Sequence, residues 1–242
     1  MRVLALGVLL IASTFAQTPD LSGVWNRSGG GGTGANAAKG STQWGGEVPS
    51  YTPAGLARYN ANKPGKGPRQ IPPANGNDPL GESNPPGLYR TLVYNRPFEF
   101  IQTKGKVTQL FEWARIWRNI WTDGRPVPED VPAGPYWYGY SVGKWEGDTL
   151  VVTTLGLDDR AWMDEWGTPF SSEAHITERW KKTGPDRIEL TITVSDPATF
   201  TKPWTSAPIA FSRQKEEVLE MIFAPIDEKV FNDRIRNPAA GK

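Results

Sequence analysis

Ser141-Val142-Gly143-Lys144-Trp145-Glu146-Gly147-Asp148-Thr149-Leu150-Val151-Val152 reads as two β segments, Tyr140 to Trp145 and Thr149 to Leu155, folded back across Glu146-Gly147-Asp148. The glycine at the tip supplies the positive φ that a tight hairpin requires. The same arrangement recurs on either side. Upstream, Phe98 to Gln102 and Val107 to Phe111 flank Lys104-Gly105-Lys106. Downstream, Ala174 to Lys182 and Arg187 to Ser195 meet at Thr183-Gly184-Pro185-Asp186, and Ile209 to Arg213 and Val218 to Phe223 enclose Gln214-Lys215-Glu216. Strands joined by such short turns pair antiparallel, because a parallel return needs a crossover of about a dozen residues or more. Asp20 to Asn26 adds a short strand-like run ahead of them.

One segment has two readings. Trp113, Ile116, Trp117, Ile120 and Trp121 match helical spacing, while Phe111, Trp113, Trp117 and Trp121 also share one face of a strand. Aromatic and β-branched enrichment, with Thr122-Asp123-Gly124 as the turn that follows, favours the strand. The class is therefore all-β. About eight to ten strands in an antiparallel meander close most economically into a barrel, which leaves no open edge. A bent sandwich is the alternative.

Outside the β pattern, Met1 and Arg2 precede an apolar run from Val3 to Ile11 and small residues at Thr14 and Ala16. This is a secretory signal, too short to span a bilayer, with cleavage expected after Ala16. Gln17 and Thr18 leave no thiol at the cut for lipidation, so the mature chain is expected to be secreted or periplasmic, without stable membrane insertion. Residues 17–242 are read as a single domain. Residues 27–90 form an irregular Gly- and Pro-rich insertion, with prolines too frequent for a central strand and only Thr52 to Asn62 fit for a short helix. Residues 230–242 are read as a flexible tail.

The chain has no cysteine, one histidine, and 27 basic against 26 acidic side chains. Disulfide frameworks, thiolate metal sites and cysteine nucleophiles are excluded, and so is any metal centre built on two imidazoles. Charges that nearly cancel provide no field for a phosphate backbone, so no nucleic-acid partner is expected. Nothing in the sequence marks a metal or cofactor site. A Gly-x-Ser-x-Gly elbow is missing, and the glycines at 29–34 lack the Lys-Ser/Thr ending of a phosphate loop.

Gly23-Val24-Trp25 ahead of the meander resembles the Gly-x-Trp entry of lipocalin-type (calycin-like) barrels, in which the tryptophan plugs the closed end. The run from Ser141 to Val152, preceded by Thr122-Asp123-Gly124-Arg125 and followed by Asp159-Arg160 and His175-Ile176-Thr177-Glu178-Arg179, resembles a family of secreted bacterial proteins that share this order of motifs. The likeness covers roughly residues 78–205. Members often carry a cysteine where this chain has Ser83. The resemblance implies a β fold and export, and brings no catalytic residue with it.

Four polar residues stand out as candidate catalytic groups: His175, Glu178, Asp159 and Arg160. Alternation puts Ala174, Ile176, Glu178 and Trp180 on one face, with Glu173, His175, Thr177 and Arg179 on the other. On an apolar face Glu178 is either a carboxyl raised by desolvation and suited to proton transfer, or the partner of a nearby arginine. Asp159 and Arg160 sit in the loop Asp158 to Trp166, whose carboxylates match no calcium-loop spacing. Among the 11 tryptophans, Trp113, Trp117 and Trp121 are candidate pocket walls, and Trp162 and Trp166 a candidate mouth. The expected function is binding of a small organic molecule, such as a sugar, a phenolic or a lipid-like compound, in an aromatic-lined barrel. A lyase or hydrolase on the same scaffold is the alternative, and a protein that docks a partner through its Pro-rich segment is a third reading. Oligomeric state leaves no mark in the sequence.

Overall fold

The computed structural model describes residues 18–28, 40–131, 134–221 and 230–241. The expected signal at residues 1–16 lies outside them, as do most of the glycine-rich stretch after Ser28 and the end of the last expected strand at Phe223. Ten strands form one sheet: β1 (Gly23–Arg27), β2 (Phe98–Thr103), β3 (Lys106–Phe111), β4 (Trp117–Trp121), β5 (Tyr140–Glu146), β6 (Thr149–Leu155), β7 (His175–Gly184), β8 (Arg187–Ser195), β9 (Trp204–Thr205) and β10 (Ile209–Arg213). Their order follows the chain, except that β10 pairs with both β1 and β8. Nine strands thus close into a barrel, with β9 a short flap on β8. The all-β barrel implied by the turn-linked segments is the fold.

One seam departs from the antiparallel meander. β4 and β5 run parallel, with Ile120 opposite Ser141 and Trp121 opposite Val142. The connection after Trp121 is long enough for the crossover that parallel pairing demands. It leaves from one end of the barrel, where Thr122 N donates to Gly105 O at 2.9 Å, and returns at the other, where Tyr136 N donates to Gly156 O at 2.7 Å.

The aromatic segment is broken as well. β3 stops at Phe111, and Ala114 and Arg115 adopt left-handed φ values of 63° and 48° that turn the chain before β4 begins. Trp113 therefore lies in the turn and not on a strand face. The described part of the arm expected at Val218 to Phe223, residues 218–221, does not pair with β10, because both edges of β10 are already occupied by β1 and β8. Residues 214–221 instead cross the outer wall as a strap. Gln214 N donates to Val24 O at 2.8 Å, Leu219 N to Glu112 Oε2 at 3.2 Å, and Met221 bridges to Trp113.

Period-two alternation fills the interior. Trp25, Phe98, Phe100, Phe111, Trp180 and Phe211 are buried there. The Trp180 ring meets Phe98 and Phe100 edge-on at 5.7 and 5.1 Å and lies tilted against Phe211 at 5.6 Å. Removing each such side chain from water contributes about 1.5–3 kcal/mol. The end opposite the tight hairpin turns is closed by α2 (Leu88–Val93), all of whose residues are buried. Gly87 lets it approach, since a Cβ there would stand 2.7 Å from that of Ala161.

The described part of the 27–90 insertion packs on this end and also carries α1 (Pro53–Ala61), capped by Thr52 Oγ1 accepting from Gly55 N at 2.9 Å. Near the C-terminus a π-type turn, Asn232–Arg236, continues into Asn237–Ala239. Asn232 Nδ2 donates to Gly81 O, and Arg236 packs over the same glycine. The stretch read as a tail thus lies against the insertion.

At the parallel seam Gly143 faces inward, where a Cβ would come within 2.8 Å of Ile120 and 3.2 Å of Leu150 and Thr122. Gly143→Val is expected to lower stability by about 1–3 kcal/mol through overpacking, and Gly143→Ala by less. Urea midpoints measure this, and unchanged midpoints in both variants would mean that the seam is loosely packed.

Candidate functional site

Three clusters of polar and aromatic side chains are built on this frame. The first is inside the barrel. Glu178, fully buried on the inward face of β7, takes a bidentate ion pair from Arg118 of β4, with Nη1 to Oε1 at 2.8 Å and Nη2 to Oε2 at 2.6 Å. Tyr89 Oη donates to Oε1 at 3.1 Å and Trp180 Nε1 to Oε2 at 2.9 Å. Thr154 Oγ1 donates to Oε1 at 3.2 Å, while Arg118 reaches Gln109 Oε1 through Nε at 2.8 Å and Ser141 Oγ through Nη1 at 3.3 Å.

Burial alone pushes the Glu178 carboxyl up. The charge and hydrogen bonds of Arg118, with those of Trp180 and Tyr89, outweigh it and hold the carboxyl below its ordinary value. Of the two readings of Glu178, the geometry is that of the arginine-paired one. Burial pushes the Tyr89 hydroxyl well up, with Glu178 adding to the shift, so it remains a donor.

The second cluster gathers at the α2 end. Arg90 grips Asp78 with two bonds of 2.6 and 2.7 Å, and its guanidinium lies 6.0 Å from the Trp162 ring. Tyr94 stacks on Trp113 at 4.1 Å, and Lys66 lies 5.9 Å from the Tyr94 ring while pairing with Glu165 at 2.5 Å. Trp113 and Trp162 thus lie near α2 on separate partners, Trp113 against Tyr94 and the almost wholly buried Trp162 near Arg90. Trp166 packs against Gly67, where a Cβ would meet its ring at 2.4 Å.

In the same loop Asp164 is fully buried and accepts from Gln43 N, Trp166 N, Thr168 N and Thr168 Oγ1 at 2.8–3.1 Å. Burial nevertheless raises its pKa, the hydrogen bonds offsetting only part of the shift. Asp159 and Arg160 take separate partners: Asp159 pairs with Arg58 at 3.0 Å, and Arg160 with Asp158 at 2.5 Å while lying 4.5 Å over Trp137. His175 is exposed on the outward face of β7, away from Glu178. Among the described residues no group of three or more His, Cys, Asp or Glu is placed to hold a metal ion.

The third cluster is on the outer wall. Pairing registers set Val24 beside Glu99, Glu99 beside Leu110 and Leu110 beside Trp117, an outward row across β1, β2, β3 and β4. At strand spacing the row spans about 14 Å. The strap passes over it, and the two enclose a groove of about 470 Å³ to which Arg115, Ile116, Glu217, Val218 and Leu219 also contribute. Trp117 is 60% exposed and Leu219 68%. Trp121 shares the outward face of β4 with Trp117, but its ring is covered by Arg125 at 4.0 Å.

Sequence reasoning named Trp117 but missed the rest of this groove, and it missed Arg118 and Tyr89. For Arg118 a signal existed: one arginine alternates with the tryptophans of β4, and Glu178 on an apolar face calls for a cation. The groove left none, since its members are distant in sequence.

Glu178→Gln leaves Arg118 buried without its countercharge and is expected to cost about 3–5 kcal/mol at neutral pH. Because the folded carboxyl titrates below its unfolded value, its contribution is present above the unfolded pKa and is lost as pH falls through the folded one. Urea unfolding of both proteins should therefore show a gap that narrows in acid, and a gap independent of pH would contradict the paired arrangement. Comparison with protein-family models, with curated proteins and with solved structures finds no match for this chain.

Proposed function

We propose that this protein is an exported, secreted or periplasmic, binding protein for a small organic molecule, and that it holds the ligand on the outer wall of the barrel. The observation that carries the reading is the groove of about 470 Å³ between the Val24, Glu99, Leu110, Trp117 row and the strap, with an exposed indole at one end. That volume lies within the range of small-molecule sites, and its lining mixes apolar side chains with the charged Glu99, Arg115 and Glu217. Among the described residues the interior is packed with aromatic rings and the Arg118 and Glu178 network, which favours the outer groove as the site. Export rests on the charged start, apolar run and small residues of positions 1–16.

The lyase or hydrolase alternative has less behind it. Glu178 is held ionised by Arg118, and Asp159 and Arg160 are each engaged by other side chains. The Pro-rich segment is likewise engaged within the molecule, with Ile71 N bonded to Pro64 O and Asp78 to Arg90.

Fluorescence titration of the protein with a panel of small planar and apolar compounds tests the reading. A saturable response is expected that weakens about tenfold in Trp117→Ala, the loss of one stacked ring in a desolvated contact. Trp121→Ala, on the same strand face but outside the groove, should leave it unchanged. Equal loss in both variants, or in neither, would sink the outer-wall site.

A further inference from the structure

We infer that the groove is built for an apolar organic cation, a tertiary or quaternary ammonium carrying an aryl or alkyl group; this rests on the outer-wall site proposed above. Its charge balance points there. Three ionisable side chains line the groove, Glu99, Arg115 and Glu217. Arg115 is already taken, its Nη1 lying 3.1 Å from Glu220. Among the described residues neither Glu99 nor Glu217 has an ion-pair partner, so two carboxylates face the space without a countercharge. The flanking neighbours of Glu99 on β1 and β3 are Val24 and Leu110, which offer it neither charge nor hydrogen-bonding side chains.

The indole makes the same point independently. Three other tryptophans carry a guanidinium close over the ring: Arg213 over Trp25 at 4.4 Å, Arg125 over Trp121 at 4.0 Å and Arg160 over Trp137 at 4.5 Å. Trp117, more exposed than any of them, has no cation over its ring among the described residues. A π face attracts a cation, most strongly one that is weakly hydrated, and an alkylated ammonium loses less hydration than a metal ion or a lysine. The remaining lining, Val24, Leu110, Ile116, Val218 and Leu219, suits the carbon substituents of such a cation and would not cage a hydrated metal. An anion would meet Glu99 and Glu217, and a neutral molecule would leave both uncompensated.

The test compares phenyltrimethylammonium with tert-butylbenzene, the same shape with carbon in place of the charged nitrogen, and with benzoate. Titration calorimetry and tryptophan quenching are read on wild type, Glu99→Gln/Glu217→Gln, Trp117→Ala and Trp117→Phe, with circular dichroism to check folding. The ammonium is expected to bind about tenfold or more tightly than its neutral isostere and to weaken as salt rises. Benzoate should not bind. The double variant should abolish the preference while leaving the affinity for tert-butylbenzene unchanged, and Trp117→Phe should retain more of the ammonium binding than Trp117→Ala. Equal affinity for the ammonium and the isostere overturns the cation inference and leaves the outer-wall site standing, as does a preference that survives loss of both carboxylates. Binding of none of the three overturns both.

Discussion

The barrel is organised around two charges that water cannot reach. Placing Arg118 and Glu178 in the interior costs several kcal/mol per ion, which only close pairing and further hydrogen bonds can offset. The fold supplies both: the pair is bidentate, and its remaining valences reach Gln109 on β3, Ser141 on β5, Thr154 on β6, Trp180 on β7 and Tyr89 on α2. Ser141 and Thr154 also bond to each other at 2.9 Å. The network therefore crosses the parallel seam between β4 and β5, where the ladder is the shortest among the nine barrel strands and only two residue pairs are in register. A slip of one residue there would turn Arg118 outward and leave Glu178 alone, so the ion pair fixes a register that the backbone ladder specifies weakly.

The same alternation settles where the tryptophans go. With Arg118 and Ile120 inward, Trp117 and Trp121 must face out, and the inward aromatic surface comes from Phe98, Phe100, Phe111, Trp180 and Phe211 instead. α2 then seals the open end by adding Tyr89 to the network. Among the described residues the aromatic rings and the ion pair pack the barrel interior behind a rigid wall. The outer groove arises where an irregular segment, the strap of residues 214–221, crosses that wall.

The hairpins were legible because their signals are local: apolar alternation on both sides of a turn containing glycine, as at Gly105, Gly147 and Gly184. The helix after Thr52 was legible for the same reason, through its cap and first-turn proline. What escaped was whatever a distant residue decides. Spacing showed that Trp117 and Trp121 share a face, but which face is inward depends on Glu178, 60 residues from Arg118. The parallel seam depends on a loop long enough to cross over, and the course of residues 218–221 on both edges of β10 being taken. The outer groove is the extreme case, joining positions 24, 99, 110 and 117 through strand register and 217–219 through the strap that crosses them.

That origin gives the groove a division of labour. Its floor belongs to four paired strands whose opposite faces pack the aromatic core, so Glu99, Leu110 and Trp117 are held by backbone that cannot move without disturbing Phe98, Phe100, Phe111 and Arg118. Among the described residues its other wall is tied down at few points, by Gln214 to Val24, Leu219 to Glu112, Met221 to Trp113 and Arg115 to Glu220, and exposes most of its side chains. Segments with few buried contacts open at lower free energy than the core they lie on. On the proposed reading, a ligand exchanges by local release of the strap while the row that would recognise it stays in place. Because the recognising side chains point away from the core, they can also change without loss of the fold, which an interior site built around Arg118 and Glu178 would not permit.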